Sequence, residues 1–250
     1  MTGRTRNGAR AALVACLLVA GCSRHQGASA PPLHARAGAP VDAFWTFAAP
    51  ALARRYEDGP AHDPVQSKDM VPRLIAISAD GSIEAGDFKV SAADATWWKM
   101  DRARTEDGST SGHYTLGGPK WRLDVHTVDG SPITEVTIDR EGATPQILYS
   151  YASDGQRGPL PATPLYTLLA ALAGAGAQTL SAPGQRSAAA ATVDPQAGRI
   201  KFKERTYGLA GTRDESLYYA DGELRYDGQV DASTALRVTY RDGKLVSVSE

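Results

Sequence analysis

Asp-Gly pairs set between runs of alternating apolar and polar residues constrain this chain more than any other feature. They occur at Asp80-Gly81, Asp129-Gly130, Asp221-Gly222 and Asp242-Gly243. An Asp-Gly pair supplies the positive φ angles of a type I′ turn, which joins two antiparallel strands with little splay. The flanking runs have the matching period of two. In Trp121-Arg122-Leu123-Asp124-Val125-His126-Thr127 every second residue is apolar or small, and residues 133–139 repeat the pattern. A third run, 146–152, places Ile147, Tyr149 and Tyr151 on one face. Three such runs predict an antiparallel meander with one wet face.

The other segments fill in an α+β class, mostly antiparallel β built from hairpin meanders. Residues 71–78, 82–85 and 88–90 read as strands around Asp80-Gly81. Ser91 to Asp94 has the form of a capping box, so residues 91–100 read as a helix or, nearly as well, as a strand. Residues 106–118 are rich in Gly, Ser and Thr and read as a mobile loop. Near the start of the folded part, Asp42 is a suitable N-cap for a short helical segment. Pro50 is expected to break that segment and open a second piece. Thr163-Pro164 opens a stronger helix at 164–173, with Leu165, Leu168, Leu169 and Leu172 in one apolar stripe, expected to pack on the sheet. The C-terminal region 199–250 is hairpins, expected to pack on the same domain as residues 42–180.

Two stretches carry resemblances. The first is N-terminal. Arg4, Arg6 and Arg10 precede an apolar run that ends in Val19-Ala20-Gly21-Cys22. The run is shorter than the ~20 residues a bilayer span needs, and it has the form of a cleaved signal. Its last four residues resemble the lipobox of bacterial lipoproteins. The resemblance implies a signal peptide at 1–21 and lipidation of Cys22. With Ser23 rather than an acid after the cysteine, it also implies an outer-membrane anchor facing the periplasm. Residues 22–41 then read as a flexible tether of small residues, able to reach several tens of ångströms at ~3.3 Å per residue. The second stretch is C-terminal. Tyr219-Ala-Asp221-Gly222-Glu-Leu224 recurs as Tyr240-Arg-Asp242-Gly243-Lys-Leu245, which weakly resembles the β-hairpin repeats of YD and MORN-like families.

Charge and chemistry narrow the function. The chain has 27 basic and 28 acidic residues, and losing the three leading arginines takes the balance to about −4. That argues against nucleic acid as a partner. The two cysteines are Cys16, inside the signal, and Cys22, so the mature body has no free thiol and no disulfide. Motifs for a serine nucleophile, a zinc protease, a P-loop or an EF-hand are missing. Asp124 and His126 share a face of one strand and have the chemistry of an acid–base pair or two metal ligands, but the expectation is that they are simply the polar face of that strand. Trp97, Trp98 and Trp121 are candidate binding residues or core. The expectation is a non-enzymatic lipoprotein without cofactor or metal. It binds an envelope or toxin protein, for instance as an immunity or inhibitor protein. An envelope-assembly or lipid-transport accessory with a sheet groove and a hydrolase with an unrecognised site are the alternatives.

Overall fold

The central meander forms where the alternation places it. In the computed structural model, β5 (Trp97–Arg104), β6 (Thr110–Gly118), β7 (Trp121–Val128), β8 (Ile133–Arg140) and β9 (Gln146–Tyr151) pair in sequence order, all antiparallel. The structure describes residues 39–57, 74–104, 108–128, 131, 133–151, 164–174, 176–181 and 189–250. Cys22, most of the tether, Asp129-Gly130 and Thr163 lie outside the described residues.

Both flanks extend this meander. On the β9 side stand β1 (Arg55–Glu57), β2 (Leu74–Ile77), β3 (Ser82–Ala85) and β4 (Phe88–Ser91). On the β5 side stand β14 (Asp214–Ala220), β15 (Glu223–Gln229), β16 (Ala235–Arg241) and β17 (Lys244–Ser249). Among the described residues this makes one 13-stranded sheet. The sheet must curl. Eight strand spacings of about 4.8 Å would separate β4 from β5 if it were flat, about 38 Å in all. The chain crosses that gap through residues 92–96 alone, which reach roughly 20 Å when fully extended.

The inner face of the curl holds the core. Trp98, Leu116, Leu123 and Ile138 are cross-strand neighbours in one buried row, and Met100, Tyr114, Val125, Val136 and Leu148 form the next. Helix α1 (Ala39–Leu52) lies against these rows: Phe44 meets Trp98 at 5.1 Å between ring centroids, and the Trp98 indole donates to the Pro40 carbonyl at 3.1 Å. Helix α2 (Leu165–Ala173) buries Leu165, Leu168, Leu169 and Leu172 in the same cluster.

A second sheet, β10 (Gln178–Ser181), β11 (Ala189–Asp194), β12 (Arg199–Phe202) and β13 (Arg205–Gly208), adjoins the β17 edge. Residues 199–250 are thus divided between two sheets. Gln178 acts there as a substitute strand residue. Its amide nitrogen donates to the carbonyls of Gly243 (2.9 Å) and Ala173 (3.2 Å), and its oxygen accepts from the Leu245 N–H at 2.7 Å. Backbone groups on an edge strand are templates for unwanted pairing, and Gln178 satisfies two of them.

Several local expectations are corrected. Helix α1 starts at Ala39, so Asp42 sits in its first turn rather than at the cap. Pro50 lies inside this one helix, not at the start of a second. Only the last turn follows it, so little ladder is lost, and Ala51 and Leu52 gain burial. The capping box is real: Ser91 Oγ accepts from Ala93 N and Asp94 from Ser91 N. It caps a single 3-10 turn, Ala92–Asp94, after which residues 97–104 are strand, because β6 and β14 offer pairing on both edges. Residues 110–118, read as loop, are strand β6. Its glycines act as seats. A β-carbon at Gly117 would stand 2.8 Å from the Trp97 ring, and one at Gly118 2.6 Å from the Trp121 indole nitrogen.

The turns also divide. Asp221-Gly222 and Asp242-Gly243 both have two residues at positive φ (49° and 78°, 49° and 73°), as type I′ requires. At Asp80-Gly81 only the glycine does, at 90°. There Asp80 instead accepts from the Ser82 N–H at 3.0 Å, and Gly81 N donates to Ser78 O. The two Tyr-x-Asp-Gly-x-Leu segments stack side by side, so that Tyr219, Leu224, Tyr240 and Leu245 form one cross-strand row.

Candidate functional site

The outer face of the central meander collects the polar side chains that alternate with the core. Period two puts Lys99, Thr115, Asp124 and Thr137 in one cross-strand row. It puts Ser216, Asp101, His113, His126 and Glu135 in the next. Side chains opposite each other in such rows come within interaction range.

Asp124 is the hub. Its carboxylate takes the Thr115 hydroxyl at 2.7 Å and two Arg122 nitrogens at 2.6 and 2.9 Å. His113 Nε2 lies 3.3 Å away. Partial burial pushes the Asp124 carboxyl up, but the hydrogen bonds from His113, Arg122 and Thr115 outweigh it and hold the group down at about 2. On its other side His113 Nδ1 is 4.0 Å from Asp101, which pairs with Lys99 at 2.8 Å. His126 meets His113 edge to face at 6.1 Å between ring centres.

Sequence reasoning finds Asp124 and His126 but not the residue between them. His113 is the cross-strand partner of His126, and it was hidden because residues 106–118 read as loop. The signal was present: His113 and Thr115 alternate with Tyr114 and Leu116. The constellation is thus a histidine between two aspartates, not an isolated pair. Its chemistry is limited. A carboxylate held at about 2 is a weak base at neutral pH, since an efficient general base has its pKa near the working pH. Thr115 is buried and spends its proton on Asp124. Among the described residues, no three of His, Cys, Asp and Glu are grouped to hold a metal.

The three tryptophans separate. Trp98 is fully buried, joining α1 to the sheet and stacking on Tyr219 at 5.9 Å. Trp121 is 8% exposed and belongs to the inner face. Neither offers a surface to a partner as folded. Trp97 is the outward one, half-buried against Gly117, whose other cross-strand neighbour is Arg122. Nearby, Tyr218 opposes Lys99 and lies 5.2 Å under the Arg225 guanidinium. Comparison with protein-family models, with curated proteins and with solved structures finds no match.

Proposed function

We propose that this protein is a lipid-anchored envelope lipoprotein that acts by binding a protein partner through the outer face of its central meander. The anchor is Cys22, and the partner class is an envelope protein or an incoming toxic enzyme, for which the chain serves as an immunity or inhibitor protein. The observation that carries the binding reading is the state of Asp124. Thr115, Arg122 and His113 all converge on it, which suits a fixed recognition surface more than a proton-transfer site. Along the same outer face stand Trp97, Arg122 and, three and four strands from Asp124, Tyr218 and Arg225, the residue types that dominate interface hot spots. A groove for lipid would need the inner face, and α1 and α2 place their own side chains there.

The test is affinity capture of the full-length lipidated protein from detergent-solubilised envelope, with the partner identified by mass spectrometry. Trp97→Ala and Arg122→Glu, both on the outer face, are expected to abolish recovery of that partner while leaving the melting temperature within a few degrees. Undiminished recovery with both variants refutes the outer-face assignment. A folded His126→Ala variant, which leaves the Asp124 cluster intact, is expected to keep the envelope phenotype, and its loss would move the reading to a hydrolase. Cys22→Ser is expected to leave the membrane fraction, and equal membrane association would refute the anchor.

A further inference from the structure

Strand β9 turns Ile147 and Tyr149 outward. Leu148 between them is fully buried on the inner face, so period two leaves its two neighbours on the wet one. Ile147 is 48% exposed and Tyr149 half-buried. On the adjacent strand β8, Ile133 faces the same way and is 41% exposed. The three are contiguous. Tyr149 follows Ile147 by two residues, and it lies diagonally across from Ile133, because its direct partner is Glu135. Diagonal neighbours are within reach of an aromatic side chain. Exposed aliphatic residues scattered singly are ordinary, but a contiguous apolar set rimmed by polar residues marks an interaction site.

The rim is mainly of one sign. Glu135 on β8 and Glu57 on β1 flank Tyr149 in a single cross-strand row. The outward charged residues of β8, β9 and β1 are Glu57, Glu135 and Asp139 against Arg55, three acids to one base. Two strand spacings of ~4.8 Å set the backbones of Glu57 and Glu135 about 10 Å apart, with the tyrosine midway. A cation over the ring face is drawn to the ring itself, and there it stands between two carboxylates.

We propose that this patch receives an arginine of the partner protein, flanked by aliphatic residues, with the guanidinium over Tyr149 between Glu57 and Glu135 and the aliphatic side chains on Ile133 and Ile147. A guanidinium is planar, stacks on aromatic faces and matches carboxylates in geometry, which favours it over an ammonium here. A second copy of this chain is the wrong occupant, because a two-fold contact through the patch would set its acidic rim against itself. An anionic lipid surface meets the same repulsion. The inference rests on the reading of the outer face as a protein-docking surface, and it names what the partner must present there. The patch is continuous with the Asp124 cluster, since Ile147 and Thr137 share a cross-strand row with Asp124.

The experiment follows the isoleucine methyl resonances of the purified full chain during titration with end-blocked pentapeptides at low ionic strength. One alternates leucine and arginine, one leucine and glutamate, and one serine and arginine. The leucine–arginine peptide is expected to shift Ile133 and Ile147 saturably, with affinity at least tenfold above either control. Glu135→Gln should weaken it roughly fivefold, the order expected of a partly exposed ion pair. Ile147→Asp should abolish it while melting within a few degrees of the wild type, because that side chain is half in water. No saturable shift, equal affinity for the glutamate peptide, or undiminished affinity in both variants overturns the proposal. So do shifts of the same methyls on raising the protein concentration alone, which would mean self-association, or on adding phosphatidylglycerol vesicles, which would mean a lipid surface. Affinity capture from envelope separates this inference from the reading beneath it. Recovery of the partner that is lost with Trp97→Ala but kept with Ile147→Asp leaves the outer-face reading standing and overturns this one. Recovery kept with both overturns both.

Discussion

Glu215 and Asp124 are two carboxylates with matching company on opposite faces of one sheet. Each receives an arginine, a hydroxyl and one further nitrogen. Glu215 takes Arg102 (3.1 Å), Tyr226 (2.9 Å) and the Leu165 backbone N–H (3.1 Å). Asp124 takes Arg122, Thr115 and His113. The difference lies in exposure and reach. The Glu215 side chain is 0% exposed and its arginine 14%, against 18% and 52% for Asp124 and Arg122. Glu215 joins β5, β14, β15 and the start of α2, elements far apart in sequence. Its charge also suits the positive end of that helix. Asp124 ties only neighbours within the meander. The same donor set therefore fixes the fold on the inside and shapes a surface on the outside.

The largest effect expected from this contrast is at Glu215. Glu215→Ala leaves a buried guanidinium, a phenol and a backbone N–H without an acceptor, so about 3–5 kcal/mol of stability should be lost in urea unfolding. A loss below about 1 kcal/mol would break the comparison. Tyr226→Phe removes one hydrogen bond to the charge and should cost about 1.5–3 kcal/mol. Asp124→Ala should cost less than Glu215→Ala, about 1–2 kcal/mol, because the arginine it frees is half in water. If it matched Glu215→Ala, the outer cluster would be part of the core.

The sheet was legible in the sequence, because period-two alternation and Asp-Gly turns are local signals. The Asp221-Gly222 and Asp242-Gly243 turns are type I′, and the runs 121–127 and 133–139 are strands. What depended on partners was not legible. Strand β6 looked like loop because its glycines serve neighbours, Gly117 seating Trp97 and Gly118 seating Trp121. Reading β6 as loop hid His113, and with it the middle of the candidate site. Residues 97–104 were ambiguous for the same reason, since β14, more than a hundred residues away, supplies half of their pairing. Nothing near Glu215 in sequence distinguishes it from the exposed acids around it. Its burial follows from facing Arg102 across β5 and β14.

The smallest effect, and the sharpest test of the outer carboxylate alone, is in the acid limb. Asp124 sits at about 2 in the folded chain against 3.8 as a free side chain. A depressed folded pKa means that the ion contributes its stability in full above about 4 and loses it as the pH falls towards 2. Asp80 and Asp231 are lowered too, chiefly by the backbone N–H groups of Ser82 and Ser233, so the whole protein should weaken over the same range. Subtracting the Asp124→Asn variant removes those shared contributions. The difference in unfolding free energy between wild type and Asp124→Asn should therefore be flat from pH 7 to about 4 and shrink below it. Because Arg122 is half in water, that difference should also shrink when salt is raised to about 1 M, where the screening length is roughly 3 Å. A difference that persisted unchanged at pH 2 and in high salt would show that the Asp124 cluster is not an ion-pair network at all. Its role would then be packing, and the two faces of the sheet would be more alike than their exposure implies.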